Sequence, residues 1–280
     1  MTMTAPHGDK ATTGVIAGSS AVVGAQRERY RRLHRTLGGV IRAWVRLDVS
    51  GTEHIPAAGG AILCPRHENL SDPFVLGAAV PPERAVHFLA WDGVLEMPLV
   101  GRWIKSLGVV HTIKAQFGKS QDADHVRRTM ETLAAIVGDG HLVTVFPEGN
   151  INHWFGRGGL KPFRTGAVRL AARAGVPLVP IGTTGTRWVV PSLFNFHDLG
   201  GPDFAPWIPV ALPWKVRVRF GPPLVVDPAA ADSKAVAEHE TARLRVAVQR
   251  LVGELTGNAP TTLPPAAPPQ AARPPGPSPR

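Results

Sequence analysis

The spacing of the apolar residues changes near Val49 and divides the chain into two patterns. Between Gln26 and Asp48, apolar residues recur every three or four positions, which is the spacing of one face of a helix. The stripe consists of Tyr30, Leu33, Leu37, Val40, Ile41, Trp44 and Leu47. We therefore predict a helix in this segment. The adjacent glycines Gly38 and Gly39 predict a break that divides it into a pair of helices.

From Val49 onward, short apolar runs alternate with segments of helical spacing. The predicted strands are Ala61 to Cys64, Ala85 to Ala90, Val109 to Ile113, Leu142 to Phe146, Pro177 to Ile181 and Val216 to Phe220. The predicted helices are Pro73 to Val80, Val94 to Leu107, Asp122 to Val137, Thr165 to Ala174 and Ser233 to Leu255. Strands that alternate with helices predict an α/β domain, in which a mostly parallel sheet is flanked by helices.

The two ends of the chain have no pattern from which a core could form. Met1 to Gly24 has no apolar segment behind a basic start, so it does not predict a secretory signal. Nine prolines lie between Pro260 and Pro279 without an apolar pattern, which is typical of a disordered segment. The predicted division is therefore a disordered leader at 1–24, an amphipathic helix at 25–48, an α/β domain at 49–256 and a disordered Pro-rich tail at 257–280. No apolar run reaches the roughly 18 residues that predict a membrane-spanning helix.

Positive charge is concentrated at the start of the chain. The formal net charge is +10, and half of it falls between Met1 and Asp48, where eight Lys or Arg residues stand against three Asp or Glu residues. Such a balance indicates an anionic partner: nucleic acid, anionic lipid headgroups or a phosphorylated substrate. A basic amphipathic helix that contains Trp44 is of the kind that lies in a membrane interface. The alternative is a helix packed on the domain with its arginines in water.

The chain has a single cysteine, Cys64, within a predicted buried strand. One cysteine excludes an internal disulfide framework and a site with several cysteine ligands to a metal. We predict a buried, inert thiol and no metal site.

A histidine and an aspartate lie between the first strand of the domain and the helix after it, in Arg66-His67-Glu68-Asn69-Leu70-Ser71-Asp72-Pro73. Proline suits the first turn of a helix, so the sequence predicts Asp72 as the N-cap of a helix that begins at Pro73. The residues between then form a bend, which can fold the carboxylate back onto the imidazole. His67 and Asp72 are thus a candidate general base and its orienting group. The alternative is a helix cap beside an ordinary loop histidine.

A second polar motif, Phe146-Pro147-Glu148-Gly149, follows another predicted strand. In an open α/β sheet, binding and catalytic residues lie outside the carboxyl ends of the strands. We therefore expect Glu148 and His67 at the same rim of the sheet. The alternative is an ordinary turn after a strand.

Two further segments follow the second motif. The basic segment from Arg157 to Ala167 leads into a helix, where backbone amides with Lys161 and Arg164 could hold a phosphate. It has no Walker pattern, so nucleotide binding is not indicated. The apolar run Val176-Pro177-Leu178-Val179-Pro180 suits either an acyl groove or the core.

The order of these motifs resembles the glycerophospholipid acyltransferases, whose best-known members are the lysophosphatidic acid acyltransferases. The resemblance covers about Val49 to Phe220. It rests on His67-x4-Asp72, on Phe146 to Gly149, on Val176 to Pro180, and on the basic segment Lys161-Pro162-Phe163-Arg164-Thr165-Gly166-Ala167.

The resemblance implies transfer of a fatty acyl group from acyl-CoA or acyl carrier protein to a lipid hydroxyl, such as that of 1-acylglycerol 3-phosphate. It implies His67 as general base and Asp72 as its orienting group, with no bound cofactor. The residues implied for substrate binding are Phe146, Pro147, Glu148, Gly149, Lys114, Lys161, Arg164 and Arg157, and those implied for the acyl groove are Val176, Pro177, Leu178, Val179 and Pro180. The expected location is the cytoplasmic face of an anionic membrane, as a peripheral protein.

The chain departs from the family at the positions that bind the acceptor's phosphate. Asn150-Ile151-Asn152 stands where the family commonly has Thr-Arg-Ser, and Lys114 stands where the family has arginine. Lysine binds phosphate as a point charge without the bidentate fork of arginine. Arg157, in a longer loop, is our candidate for the missing cation.

These departures leave three alternatives open: a different lysophospholipid or glycolipid acceptor, a transacylase, or a non-catalytic lipid-binding protein of the same fold. A nucleic-acid binder rests on charge alone, because the sequence has neither a recognised motif nor an aromatic stacking platform. We predict no nucleic-acid partner.

Overall fold

The computed structural model describes residues 28, 30–91, 110–113, 123–149, 159–190 and 212–258. Within these ranges the strands are β1 (Asp48–Ser50), β2 (Ala61–Pro65), β3 (Val86–Trp91), β4 (Val110–Ile113), β5 (Leu142–Thr144), β6 (Leu178–Thr184) and β7 (Arg217–Phe220). The α-helices with bounds in these ranges are α1 (Gly39–Trp44), α2 (Asp72–Ala79), α3 (Ala123–Gly138), α4 (Gly166–Ala174) and α5 (Lys234–Thr256). Short 3₁₀ helices occupy Thr52–His54, Thr186–Trp188 and Pro228–Ala231.

The seven strands of the described ranges form one sheet in the order β1-β7-β6-β2-β5-β3-β4. Strands β2 to β6 run parallel to one another, β7 pairs with β6 in the antiparallel direction, and β1 is parallel to β7. This confirms the predicted mostly parallel α/β sheet. The predicted helix at Val94 to Leu107 lies outside the described residues.

Helices cover both faces of the sheet, and β2 contributes to both faces because its side chains alternate. Ile62 and Cys64 belong to one buried cluster, which includes residues of α3, α4 and α5. Ala61 and Leu63 belong to the other, which includes residues of α2 and the N-terminal helix. All five residues of β2 are buried. A strand covered on both faces reads as a continuous apolar run, which is why this one was predictable.

The predicted break at Gly38 and Gly39 is wrong. Residues 30–33 are helical, His34–Gly38 form a π-helical turn, and α1 continues from Gly39 without a gap. Gly38 and Gly39 have φ of −60° and −61°, both ordinary helical values. A π turn absorbs an irregularity in the hydrogen-bond pattern without ending the helix.

The N-terminal helix packs against α2. His34 Nε2 lies 2.9 Å from the carbonyl oxygen of Val80, and Arg42 Nε donates to the carbonyl oxygen of Ala78 at 2.6 Å. Burial lowers the pKa of His34, which favours the neutral ring. The helix is thus part of the domain surface, while several of its arginines remain exposed.

The residues beyond the domain are only partly described. The predicted leader at 1–24 lies outside the described residues, as does the predicted tail after residue 258. Helix α5 ends before Gly257, whose positive φ of 78° closes the last turn. Within the described ranges, no helix combines the length and apolar character needed to cross a membrane.

Candidate active site

The carboxyl ends of β2 and β5 meet at one rim of the sheet, because these strands are parallel and Leu63 pairs in register with Thr144. The chain after β2 leads to His67, and the chain after β5 leads to Glu148. The backbone N–H of His67 donates to Oε1 of Glu148 at 2.7 Å. The two predicted motifs therefore meet, as the rule for open α/β sheets requires.

His67 and Asp72 form a direct pair. Nδ1 of His67 lies 2.8 Å from Oδ2 of Asp72. The side chain of Asp72 is 2% exposed and that of His67 is 16% exposed. A carboxylate can only accept a hydrogen bond, so Nδ1 carries the proton, and Nε2 of the neutral ring is then the proton acceptor. The ring is thus partly buried and held in place by Asp72, with its basic nitrogen on the side away from the carboxylate.

The Asp72 carboxylate is held by backbone as well as by the imidazole. Its Oδ2 also accepts from the N–H groups of Glu68, at 2.6 Å, and Asn69, at 2.8 Å. These charge-assisted bonds fold residues 67–72 around one oxygen atom. The predicted bend is confirmed, but the predicted cap is shifted by one residue. Ser71 is the N-cap, and α2 begins at Asp72.

The motif after β5 supports the histidine from a second side. The ring of Phe146 stacks on the ring of His67, with centroids 4.0 Å apart and planes 27° apart. Glu148 is buried, and its Oε2 accepts from the N–H of Lys161 at 2.8 Å. Both of its oxygens therefore bind backbone N–H groups. Contacts of Phe146, Pro147 and Glu148 with a substrate stay a prediction.

The turn at Gly149 brings a cation to the same rim. Gly149 has a φ of +67°, and a Cβ atom there would lie 2.9 Å from Nε of Arg164. The backbone N–H of Arg164 donates to the carbonyl oxygen of Pro147 at 2.8 Å. The structure therefore places the side chain of Arg164 and the backbone of Lys161 beside the motif. Lys114 and Arg157 lie outside the described residues.

A buried ion pair flanks His67, and the sequence did not indicate a role for it. Arg66 Nη1 lies 2.9 Å from Glu68 Oε1, and both side chains are at most 5% exposed. Thr186 donates from Oγ1 to Oε2 of Glu68 at 3.1 Å. Burial raises the pKa of Glu68, Arg66 opposes this, and the nearby Asp72 adds to it. The available signal was the unusual position of two charged residues directly after a buried strand.

Asn69 is a second residue whose role the sequence did not indicate. Its Oδ1 accepts from the N–H of Ser71 at 3.1 Å, and its Nδ2 donates to the carbonyl oxygen of Val190. The loop of His67 is therefore tied to the segment after β6 at both Glu68 and Asn69.

The central residues of the predicted acyl groove lie in the hydrophobic core. Leu178, Val179 and Pro180 pair with β2 and are buried, and Val176 and Pro177 are partly buried. Leu178 belongs to one hydrophobic cluster and Val179 to the other. Contact of Val176 to Pro180 with an acyl chain stays a prediction.

Cys64 is buried, and burial raises the pKa of its thiol. The predicted burial is confirmed, and a thiol with a raised pKa is a poor nucleophile. Across the described residues, no group of three or more His, Cys, Asp or Glu side chains is arranged to hold a metal ion.

Comparisons with known proteins agree on one family. Residues 46–184 match the family model described as Acyltransferase. An uncharacterized protein of Mycobacterium leprae is 30% identical over 247 aligned residues, which cover 76% of this chain and 61% of that protein. A chloroplastic 1-acyl-sn-glycerol-3-phosphate acyltransferase of Brassica napus is 30% identical over 172 residues, which cover 59% of this chain and 46% of that protein. The chain thus spans less than two thirds of the length of these relatives.

A solved structure has the same fold. The crystal structure of the 1-acyl-sn-glycerophosphate acyltransferase PlsC from Thermotoga maritima matches with a TM-score of 0.61 and 21% identity, covering 86% of this chain and 85% of that one. At this identity the likeness concerns the fold, and it agrees with the predicted α/β class.

Proposed function

Residues 46–184 belong to the acyltransferase family, and from that premise we propose that the protein is an O-acyltransferase. It moves a fatty acyl group from acyl-CoA or acyl carrier protein to a hydroxyl of a lysophospholipid such as 1-acylglycerol 3-phosphate. The contact of 2.8 Å between His67 Nδ1 and Asp72 Oδ2 carries the proposal. It supplies a positioned base at the rim of the sheet where an α/β protein binds its substrates.

The reaction needs a base because a lipid hydroxyl is a weak nucleophile at neutral pH. Nε2 of His67 takes the hydroxyl proton as the oxygen attacks the thioester carbonyl carbon. The tetrahedral intermediate then collapses, the C–S bond breaks, and the departing sulfur takes the proton from the imidazolium. Asp72 stabilises the imidazolium and keeps Nδ1 protonated, as in other histidine–carboxylate pairs. Base catalysis of this kind contributes about 10²–10⁴-fold.

The chain transfers the acyl group directly to the acceptor, without an acyl-enzyme intermediate. The cysteine, Cys64, is buried, and its pKa is raised. No G-x-S-x-G elbow occurs in the sequence. The supporting groups Phe146 and Glu148 hold the ring and the backbone of His67. Accurate positioning of this kind is a large part of the rate that an enzyme gains over solution.

The acceptor's phosphate binds beside Gly149. The side chain of Arg164 lies beside Gly149, and its planar guanidinium can bind phosphate through two donors. The backbone N–H of Lys161 binds Glu148 at the same rim, and its ammonium group is proposed to add a second cation. Lys114 and Arg157 are proposed to complete the site. The arrangement favours a phosphate-bearing acceptor over a neutral one.

The reaction takes place at the cytoplasmic face of an anionic membrane, to which the protein binds peripherally. The N-terminal helix exposes Arg32, Arg35 and Arg46 to water, together with Val40 and Trp44. Each basic residue near an anionic surface adds about 1 kcal/mol of attraction. An anionic membrane therefore accounts for the net charge of +10, and no nucleic-acid partner is needed to explain it.

A thiol-release assay tests the proposal. The protein is given acyl-CoA, or acyl carrier protein loaded with an acyl chain, and a panel of lysophospholipids, glycerol 3-phosphate and glycolipids. We expect turnover with at least one lysophospholipid and the fastest turnover with a phosphate-bearing acceptor. The absence of turnover with both donors and all acceptors would support a lipid-binding protein without catalysis.

A further inference from the structure

Large apolar side chains are exposed on one part of the surface more than elsewhere. Five such side chains are exposed in the described ranges, and four of them are Val40 at 63%, Trp44 at 49%, Leu212 at 38% and Trp214 at 49%. The fifth, Val225, is adjacent to Leu224, which packs against the opposite hydrophobic cluster. A contiguous exposed apolar patch indicates an interaction surface, whereas single exposed apolar residues do not.

The four side chains come from two segments that are joined directly. The N–H of Val216 donates to the carbonyl oxygen of Val45 at 3.0 Å, and the N–H of Asp48 donates to the carbonyl oxygen of Val216 at 2.9 Å. Val45 and Val216 belong to the same hydrophobic cluster. The end of α1 and the segment before β7 therefore lie side by side, and both lie on the face of the sheet that α2 covers.

A third segment, the 3₁₀ helix Thr186–Trp188, extends this patch. The rings of Trp188 and Trp214 have centroids 5.6 Å apart. The N–H of Leu212 donates to the carbonyl oxygen of Val189 at 2.7 Å. Tryptophan is enriched where protein meets the headgroup region of a bilayer, since its ring is apolar and its N–H is polar. We call Trp188, Leu212 and Trp214 the aromatic patch, which lies beside the end of α1 that carries Trp44.

Among the described residues, the charged side chains next to the aromatic patch along the chain are basic, except for Asp48. The guanidinium of Arg187 lies over the ring of Trp188, 5.6 Å from its centroid, and Arg46 is exposed beside Trp44. The carboxylate of Asp48 is engaged by Lys215, with Nζ and Oδ2 3.6 Å apart. Apolar rings within a basic rim match an anionic bilayer better than a protein surface of mixed charge.

The segment that carries Trp188 also contacts the loop of His67, residues 66–71. Thr186 bonds to Glu68, and the carbonyl oxygen of Val190 accepts from Asn69. Trp188 lies between these two contacts along the chain. These two hydrogen bonds hold Trp188 in a fixed position relative to His67. A membrane that binds Trp188 therefore lies at a fixed distance from His67.

We propose that the aromatic patch is a second membrane-binding element, formed by Leu212, Trp214 and Trp188 beside α1, and that it docks on an anionic lipid bilayer. It sets the rim that carries His67 at a fixed height above the membrane, where a lipid acceptor can reach it. This inference rests on the proposed function for its purpose, but membrane docking by the patch can be measured without any acyl transfer.

Vesicle sedimentation tests the inference with purified full-length protein. The vesicles contain either phosphatidylcholine alone or phosphatidylcholine mixed with phosphatidylglycerol. We expect the wild type to bind the mixed vesicles and the double variant Leu212→Ala with Trp214→Ala to bind them about tenfold or more weakly, because two apolar side chains leave the interface. The matched control is Val225→Ala, which removes an exposed apolar side chain (80%) from another part of the surface and should leave binding unchanged.

A second variant covers the case in which the double variant does not fold. Trp214→Phe keeps an aromatic ring at the position and should retain binding. It should, however, show less quenching of tryptophan fluorescence by brominated lipid than the wild type. Equal binding of the wild type and the double variant, with both folded by circular dichroism, would overturn the inference. A vesicle-free dimer that the double variant loses would overturn it too, since the patch would then be covered by a second copy of the chain.

Activity assays distinguish this inference from the proposed function. The double variant should lose turnover with an acceptor embedded in vesicles and keep turnover with a short-chain, water-soluble acceptor. If no acceptor is turned over by the wild type, the proposed function fails, and the sedimentation result still decides whether the patch binds membranes.

Discussion

The side chain of Glu148 binds the backbone of His67: its Oε1 accepts from the N–H of His67 at 2.7 Å, and its Oε2 accepts from the N–H of Lys161 at 2.8 Å. The carboxylate is buried, so each of these bonds is made away from water. A glutamine at this position would turn its NH₂ group toward one of the two backbone N–H groups, so that a donor would face a donor. We therefore expect Glu148 to act as a positioning residue, which affects catalysis through His67.

The variant Glu148→Gln tests this role. Its amide can accept only one of the two bonds, and the buried mismatch should lower the free energy of unfolding by about 1–3 kcal/mol. A displaced His67 should lower kcat, by about 10²-fold for a shift near 1 Å, with a smaller change in KM for the acceptor. The control is Glu131→Gln, at an exposed carboxylate on α3, which should change neither value. A large rise in KM with unchanged kcat would instead assign Glu148 to substrate binding.

Substitution of either His67 or Asp72 should lower the rate of acyl transfer to a similar extent. His67→Ala removes the proposed base, and Asp72→Asn removes the carboxylate that is proposed to keep Nδ1 protonated and to stabilise the imidazolium. Each should lower the rate of thiol release by about 10²–10⁴-fold. Vesicle binding should be unchanged, since neither side chain is part of the aromatic patch.

The matched control for these variants is His141→Ala. His141 directly precedes β5 and so lies at the opposite rim of the sheet. His141 is partly buried, and its ring packs edge-on against that of His87, with centroids 5.2 Å apart. Because this contact lies away from His67, its loss should leave the rate of the folded protein within about twofold of the wild type. A normal rate in His67→Ala would contradict the proposed mechanism.

The pair could be predicted from the sequence because its geometry is local. His67 and Asp72 are five positions apart and follow a strand that is apolar at every residue, so both the bend and the rim follow from short-range patterns. Glu148 was placed at the rim for the same reason. Its bonds to backbone N–H groups could not be predicted, because they depend on how the segment before α4 packs.

The remaining contacts depend on residues that are distant along the chain. Glu68 and Thr186 are separated by 118 positions, and no periodicity connects them. Strand β1 has three residues, too few to give a pattern of its own, and it was missed. The predicted break at Gly38 and Gly39 failed because glycine lowers helix propensity only modestly, and packing on α2 outweighs that cost.

The buried pair of Arg66 and Glu68 predicts a large effect of single substitutions. Removing either partner leaves the other as a buried charge without compensation, which costs about 3–5 kcal/mol. Arg66→Met and Glu68→Leu should therefore each destabilise the protein, while the double variant should lose much less than the sum. Urea unfolding of the four proteins measures this coupling. Additive losses would show that the two charges do not depend on each other.

The pH dependence of stability has a defined sign at Glu68. Burial raises the pKa of Glu68 in the folded protein above its usual value near 4.5. The folded state therefore holds this proton to a higher pH than the unfolded state does. The contribution of Glu68 to the free energy of unfolding falls as the pH rises through the interval between these two pKa values, and it is constant below the lower one. Unfolding of the wild type and Glu68→Gln over a pH series should show this fall in the wild type alone.

The arginines of the N-terminal helix predict a salt-sensitive interaction with anionic vesicles. Replacing Arg32, Arg35 and Arg46 by glutamine removes three exposed charges, each of which adds about 1 kcal/mol near an anionic surface. Binding should weaken by up to about 10²-fold, and the difference from the wild type should shrink as salt is added. The control replaces Arg127, Arg128 and Arg173, which are exposed on α3 and α4 over the opposite face of the sheet. Equal losses in both triple variants would mean that net charge, and not its position, governs binding.

Alanine substitutions at Gly149 and Gly175 distinguish the effect of backbone strain from the effect of contact with the predicted phosphate site. Gly149 and Gly175 have nearly the same positive φ, +67° and +64°, so alanine at either position adopts an unfavourable backbone conformation. A Cβ at Gly149 would lie 2.9 Å from Nε of Arg164, whereas a Cβ at Gly175 would have no atom within 4 Å. Both alanine variants should lose about 1–2 kcal/mol of stability. Only Gly149→Ala should displace Arg164 and raise KM for a phosphate-bearing acceptor, and an equal KM in the two variants would remove Arg164 from the proposed phosphate site.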